Sequence, residues 1–431
     1  MDSDFWTKQP KKNPRLKYMK IGDILKSSQY GISVSMNEEG KGYPIFRMNE
    51  IHNMLCDLSV DKCADISQEE FLKFELKDRD VLFNRTNSFE WVGRTGVYYQ
   101  NDEIQKTFAS YLVRFNPDER IVLPEYLATF LNTKQGVWDV KRRARQSINQ
   151  TNVNPEEVKE IEIPILPMDF QNEIRNRFEK ANTNLILSQQ IYRQAEELLL
   201  ETIGLKDFTP SQEKTNIKTL KESFLSTGRL DAEYYQPKFE KLIAHIETFE
   251  TVRLNEIVSI KKSIEPGSEA YESEGIPFIR VSDLSKFGIT ETDIYLDKSK
   301  FSNLGLQPKK DTILLSKDGS VGIAYKVEED LDVITSGALL HLTVTNKNFL
   351  PDYLTLVLNS EVVKMQAERD AGGSIIQHWK PSEIEQVIIP KIPMPIQQQI
   401  STLIQESFTL RKKSERLLLE AKEMVEREIE K

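Results

Sequence analysis

The sequence predicts an α+β chain in which two mixed α/β domains stand in tandem, separated by two long helices that pair as an antiparallel coiled coil. Three observations carry that expectation. The sequence repeats at a period of about 230 residues, each copy closes on a Pro-x-x-Pro turn, and each turn is followed by a Pro-free heptad pattern. The 431 residues leave room for two or three domains, since one domain usually takes about 100–200.

The repeat keeps its order along the whole chain. Tyr43-Pro44-Ile45-Phe46-Arg47-Met48-Asn49-Glu50-Ile51 reads against Ile276-Pro277-Phe278-Ile279-Arg280-Val281-Ser282-Asp283-Leu284, 233 residues later. Asp80-Val81-Leu82-Phe83 reads against Asp311-Thr312-Ile313-Leu314, and Val92-Gly93 falls on Val321-Gly322. Leu123-Pro124-Glu125-Tyr126-Leu127 matches Leu350-Pro351-Asp352-Tyr353-Leu354 at an offset of 227. Gln146-Ser147-Ile148 then matches Gly373-Ser374-Ile375, and Ile163-Pro164-Ile165-Leu166-Pro167 matches Ile389-Pro390-Lys391-Ile392-Pro393. A slowly drifting offset is what loop insertions produce, so the chain is a tandem duplication.

Each copy opens with short β-rich runs punctuated by Gly, Pro and Asn. Residues 81–83, 97–99 and 111–115 read as strands, as do 312–315, 323–327 and 338–344. Residues 123–132 and 351–359 read as helices with Pro in the first turn. The long helix of copy one is expected from about Met168 to Ile203, ending before Gly204. Its seam is Phe170, Ile174, Phe178, Ala181, Leu185, Ser188, Tyr192, Ala195, Leu199 and Thr202, in steps of 4, 4, 3, 4, 3, 4, 3, 4 and 3. Copy two offers Ile400, Ile404, Phe408, Leu417, Leu418, Met424 and Val425, a less regular series. Its helix has lost seven residues relative to the first, one heptad, which keeps the apolar face in phase. The expected division is a first domain at 1–165, its helix at 166–205, a polar linker and second domain at 206–394, and a second helix at 395–431.

Composition narrows the function classes. Two cysteines, Cys56 and Cys63, cannot build a disulfide framework, and no stretch of about 18 apolar residues exists. A polar N-terminus lacks an apolar signal core, so a soluble cytoplasmic protein is expected, with no membrane partner. Lys and Arg number 58 against 67 Asp and Glu, a net charge of −9, which argues against a uniformly basic surface. The balance is uneven: residues 1–165 hold 24 cations against 25 anions, and the remainder 34 against 42. There is no Gly-x-x-x-x-Gly-Lys loop, no Gly-x-Gly-x-x-Gly after a strand and no Gly-x-Ser-x-Gly elbow. His52, His245, His341 and His378 lack metal-ligand spacing, and no metal or cofactor is expected. A stand-alone enzyme therefore has no motif to rest on. The residues alone leave open an adaptor that reads DNA and a protein-interaction scaffold built on the helices.

The layout resembles the specificity (S) subunits of type I restriction–modification systems. The residues that carry the likeness are Asp80-Val81-Leu82-Phe83-Asn84-Arg85-Thr86 leading to Val92-Gly93, and Asp311-Thr312-Ile313-Leu314-Leu315-Ser316 leading to Gly319-Ser320-Val321-Gly322. The runs Ser147-Ile148-Asn149-Gln150 and Ser374-Ile375-Ile376-Gln377 and the Ile-Pro-x-x-Pro helix entries are similar to the family's pattern. Arg229-Leu230-Asp231-Ala232-Glu233-Tyr234-Tyr235 looks like the opening of a recognition domain, echoed by Asp2-Ser3-Asp4-Phe5-Trp6. The resemblance implies that each domain reads one half of a split double-stranded DNA target and that the helices set the gap between halves. It also implies docking of two methyltransferase (modification) subunits and of motor-endonuclease (restriction) subunits, which supply the catalysis. Residues differ at equivalent turn positions, so the target is expected to be asymmetric.

Candidate DNA contacts follow from residue type. The strongest basic feature is Lys141, Arg142, Arg143 and Arg145, which suit phosphates, with Gln146, Asn149 and Gln150 beside them for phosphates or base edges. A solvated helix face is the alternative. Its counterpart in copy two is Arg369, Gln377, His378 and Lys380. The turns offer Asn84, Arg85, Asn87 and Arg94 in copy one, and Lys317 and Ser320 in copy two. They serve equally as hairpin turns chosen for backbone conformation. Arg47 and Arg280 hold equivalent places after short apolar runs, as base contacts or as architectural ion pairs.

Overall fold

The computed structural model describes residues 12–148, 150–213, 215–372 and 377–431. Asp2 to Trp6, Asn149, Lys214 of the linker and Gly373 to Ile376 lie outside the described residues. The chain divides into two compact units, one of Met1–Ser188 with Thr409–Lys431, the other Gln189–Phe408.

In the first unit a six-stranded sheet runs in the order Leu25–Tyr30, Leu112–Pro117, Val81–Asn84, Thr95–Val97, Leu55–Cys56, Ile51–His52. Val81, Leu82, Phe83 and Asn84 are all buried, so the strand is covered on both faces rather than alternating. The helix Pro124–Asn132 packs on it and is buried along nearly its whole length. A smaller sheet of Thr107–Phe108, Tyr43–Phe46, Cys63–Ala64 and Met36–Asn37 adds a second layer. A third is formed by Arg145–Gln146, Thr151–Asn152 and Thr86–Asn87.

The second unit repeats the plan with fewer strands. Val258–Lys262, Leu339–Val344, Ile313–Ser316 and Ala324–Lys326 form its main sheet, under the helix Pro351–Asn359. Ile276–Ile279 pairs antiparallel with Tyr295–Leu296 and parallel with Ile334–Thr335.

Identical side-chain struts hold both copies. The amide of Gln171 donates to the carbonyls of Ile121 (3.0 Å) and Leu166 (2.9 Å) and accepts from Leu123 N (2.8 Å). Gln397, 226 residues on, donates to Asn348 O (2.9 Å) and Ile392 O (3.0 Å) and accepts from Leu350 N (3.0 Å). Tyr126 Oη donates to Pro164 O at 2.6 Å and Tyr353 Oη to Pro390 O at 2.5 Å. Asn132 Nδ2 bridges Thr95 O and Ala128 O, as Asn359 Nδ2 bridges Ala324 O and Thr355 O. Each strut satisfies main-chain groups at the junction of body and helix that burial would otherwise leave unpaired.

The long helices span Met168–Thr202 and Met394–Glu430, 35 and 37 residues, so the second is not a heptad shorter than the first as the sequence offset suggests. Within the first unit they run antiparallel: Ser414 Oγ donates to Ala181 O at 2.8 Å, and Arg177 lies 4.0 Å from Glu420. Ile174, Phe178 and Ala181 share a core with Leu418, Ala421 and Val425. In the second unit Tyr192, Ala195 and Leu199 share one with Ile400 and Ile404. The first-helix seam is as expected, with Phe170, Leu185 and Thr202 only half-buried. The second helix corrects the expectation of a ragged seam. Its buried line is Gln397, Ile400, Ile404, Ser407, Ser414, Leu418, Ala421, Val425 and Ile429, in steps of 3, 4, 3, 7, 4, 3, 4 and 4. The repeat is regular, and three polar residues hide it from a hydrophobicity count.

Candidate nucleic-acid interface

The first unit's site begins where the buried strand Val81–Asn84 runs out into a turn. Asn84 N donates to Arg94 O and Gly93 N to Asn84 O, both at 2.8 Å, pinching the loop between them. Gly93 sits at φ +90, and a Cβ there would lie 2.7 Å from Val140 Cγ1, so the turn requires glycine on both counts. The hairpin Arg145–Asn152 docks on the far side of the turn, with Thr151 opposite Asn87 and Asn152 opposite Thr86. Thr86 Oγ1 donates to Asn152 Oδ1 at 2.7 Å. Ser147 closes the hairpin tip, giving its N and Oγ to Gln150 O at 2.9 and 2.7 Å. The fold thus joins two runs some 60 residues apart into one edge that presents Arg145, Gln146, Ile148 and Gln150 to solvent.

Cations around this edge rest on aromatic rings. Arg94 lies 3.1 Å from the Trp91 ring centroid, Lys141 4.7 Å from Phe89, Arg142 5.1 Å from Trp138 and Arg85 5.3 Å from Tyr30. Such stacking orients a guanidinium while leaving it charged. Lys141 Nζ also donates to Glu90 O at 3.1 Å, and Arg145 pairs with Glu157. Sequence reasoning misses the rings of Tyr30, Phe89 and Trp91; the only signal is two aromatics inside the Asn84–Gly93 turn.

Four expected contacts are placed otherwise. Asn84 is 0 % exposed and spends its amide on Met48 O (3.2 Å) and Thr86 N (3.3 Å), so it holds the turn from inside. Arg143 is buried against Asp139, donating to its carbonyl at 2.7 Å and to its carboxylate, which Arg142 also approaches. Arg47 and Arg280 take the architectural role: Glu50 accepts from Arg47 N (2.7 Å) and Nε (3.0 Å), and Asp283 from Arg280 N (2.9 Å) and Nε (3.4 Å). In each copy an Arg and an acid three residues later close the same turn. Asn87 lies half-buried, its side chain accepting from Ser88 N at 2.8 Å.

The second unit brings the equivalent runs together with other chemistry. Gly322, at φ +86, returns its N to Ser316 O at 2.9 Å, while Ser316 Oγ donates to Ser320 O at 2.5 Å. Gly319 N reaches Gln377 O at 2.9 Å and Trp379 N reaches Lys317 O at 2.8 Å, which clamps the turn to the loop. Across that clamp His378 Nδ1 lies 2.9 Å from Asp318 Oδ1, and Lys317 holds the same carboxylate. Burial pushes the Asp318 carboxyl up, but the bonds from Lys317 and His378 outweigh it and leave it below the ordinary carboxylate range. Ser320, Gln377, His378 and Lys380 are exposed, and Lys380 lies 3.4 Å from Glu383. Arg369 pairs with Asp370 at 2.7 Å and stands 5.0 Å from the Tyr234 ring, with Arg229 4.5 Å from that ring. Trp379 is core, as its 0 % exposure shows.

Among the described residues no cluster of His, Cys, Asp and Glu could hold a metal, and no helix is long and apolar enough to cross a membrane. What the described residues of the two edges offer is hydrogen-bonding and cationic surface, suited to recognition.

Comparison with known proteins agrees. The chain is 25% identical over 412 residues to a putative type I restriction enzyme MjaX specificity subunit of Methanocaldococcus jannaschii, covering 94% of this chain and 90% of that one. It is 26% identical over 165 residues to the type I restriction enzyme EcoKI specificity subunit of Escherichia coli K12, covering 38% and 35%. A solved S subunit of a type I restriction–modification system from M. genitalium aligns over 96% of both chains at 16% identity, with a TM-score of 0.41. A family model, the type I restriction modification DNA specificity domain, matches twice, at residues 15–197 and 246–418. The chain belongs to the type I restriction–modification DNA specificity family.

Proposed function

We propose that this chain reads a split, asymmetric duplex target, one half with each turn-and-hairpin edge, and directs partner adenine methyltransferase and motor-endonuclease subunits to it. As a specificity subunit it supplies DNA recognition and is not itself an enzyme. Two modification subunits and the restriction subunits bring the catalysis and the cofactors. One observation supports the two-half reading above the rest. The Gln171/Gln397, Tyr126/Tyr353 and Asn132/Asn359 struts are the same in both copies, whereas the turns read Asn84-Arg85-Thr86-Asn87 in one and Ser316-Lys317-Asp318-Gly319 in the other. A common frame with unlike tips is the form expected of two readers of unlike sequence. Arg85, Asn87, Arg94, Lys141, Arg142, Arg145, Gln146 and Gln150 serve the first half. Lys317, Ser320, Arg369, Gln377, His378 and Lys380 serve the second.

The test is to express the chain with the methyltransferase encoded beside its gene and map methylated adenines across a genome. A motif of two unlike halves around a fixed gap is the expected outcome. An assembled, active complex that yields no motif, or a palindromic one, would overturn the reading.

A further inference from the structure

We propose that Ile148 is a sequence-neutral duplex contact, an apolar side chain that lies along the sugar and base-step edge of any target, while base choice in the first half falls to the turn beside it. The inference rests on the DNA-reading function above and divides the labour within one edge.

The hairpin that carries Ile148 is fixed from three directions. Arg145 and Gln146 ladder with Asn152 and Thr151, those pair in turn with Thr86 and Asn87, and Ser147 ties off the tip through Gln150 O. Ile148 itself is 100 % exposed. It packs against nothing in the described chain, so no part of that fold accounts for an isoleucine there. Its neighbours Arg145, Gln146 and Gln150 are exposed and polar, a setting for nucleic acid rather than for an apolar protein surface. A lone exposed isoleucine would ordinarily call for no explanation. The duplication supplies one. Ser147-Ile148 recurs as Ser374-Ile375, in a copy whose turn differs at every position from Asn84 to Asn87. Two readers of unlike bases have no reason to share a base-reading side chain. They do share the duplex itself, whose deoxyribose faces and stacked steps are the same at both halves. Apolar side chains, isoleucine among them, are used against such steps. Gln146, by contrast, stands where the second copy has Gly373, so it belongs with the diverged readers.

The experiment uses the full chain assembled with its methyltransferase partner and the substitution Ile148→Ser. Three quantities are read: the methylated motif, the affinity of the complex for a duplex carrying that motif, and the yield of methyltransferase co-purified. The wild-type complex yielding its motif establishes the DNA-reading function separately. The expected result is an unchanged motif in both halves, unchanged co-purification and an affinity lowered about tenfold or more. A changed base in one half-motif would make Ile148 a reader and overturn the proposal. Loss of the co-purified subunit would make it a protein contact, and the proposal would fall in the same way. Unchanged affinity would leave the residue without a role at the duplex and end the idea.

Discussion

In the first unit the turn after Val81–Asn84 is ringed by Arg94, Lys141, Arg142 and Arg85 resting on aromatic rings, while in the second the turn after Ile313–Ser316 is clamped by Lys317, Asp318 and His378. The strands beneath are equivalent, and so are the struts that hold the adjoining helices. The difference teaches where duplication leaves freedom. A buried amide such as Gln171 or Gln397 completes main-chain bonds that have no substitute, and losing one exposes a desolvated group. A residue on the rim has no such obligation. The same contrast reaches inside the sheet: Arg114 faces Leu82 across the ladder in one copy, and His341 faces Leu314 in the other. Arg114 is bound to Asp80 at 2.8 Å and Glu75 O at 2.7 Å, whereas His341 meets Thr335 Oγ1 at 2.8 Å.

That pair gives the largest effect. Burial, helped by nearby Lys261, holds the His341 imidazole down to about 4 from its ordinary 6.5. The unfolded chain takes up the proton near pH 6.5 and the native chain only near 4. Between those values the unfolded state binds more protons, so the second unit's stability is full above pH 6.5 and falls as pH drops, by up to about 3 kcal/mol. The equivalent place in the first unit holds Arg114 rather than a buried imidazole, so this source of slope is absent there. Hydrogen exchange of the peptides around each residue, corrected for intrinsic rates, should show opening that grows between pH 6.5 and 4 around His341 and less around Arg114. His341→Gln should flatten it. A slope that survives the substitution would break the comparison.

The paired glycines sharpen it next. Gly93 and Gly322 both hold positive φ, at +90 and +86, so an alanine strains either turn by about 1–2 kcal/mol. Only at Gly93 does the new Cβ also meet a neighbour, Val140 Cγ1 at 2.7 Å; at Gly322 the nearest atom is Ala367 Cβ at 4.0 Å. Overpacking adds about 1–3 kcal/mol. Gly93→Ala should therefore destabilise its unit more than Gly322→Ala does its own, measured by exchange or by urea unfolding. Equal losses would mean the first turn yields as freely as the second.

How much of this is legible in the sequence follows the same division. The duplication, the Pro-x-x-Pro entries and the first helix's seam can be read directly, because period and order survive without knowing any contact. Ser407 and Ser414 conceal the second seam, since a small polar residue packs between helices as well as an apolar one when a carbonyl such as Ala181 O accepts its hydroxyl. Residue type makes Asn84 and Arg143 candidates for a ligand but says nothing of exposure; the strand end and Asp139 turn both inward. The clamp of Asp318 on His378 joins residues 60 apart through a loop whose course no local pattern encodes.

The smallest effect on stability bears most directly on the two rims. Arg145 pairs with Glu157 with its side chain 75% exposed, and Lys380 with Glu383 at 73%. Surface pairs of this kind contribute about 0–1 kcal/mol, so Arg145→Ala and Lys380→Ala should leave unfolding nearly unchanged. Their effects on DNA should differ. Arg145 belongs to a rim of several cations, and where it neutralises a phosphate its removal lowers the slope of log affinity against log salt by about one. Lys380 sits beside Glu383, with Asp318 already engaged by Lys317 and His378, and its loss should lower the slope by less. Titrating the assembled complex with duplex at several salt concentrations measures both. Equal changes would show that the charge difference between the rims is not carried into phosphate contacts, and the division between a cationic reader and a balanced one would have to be abandoned.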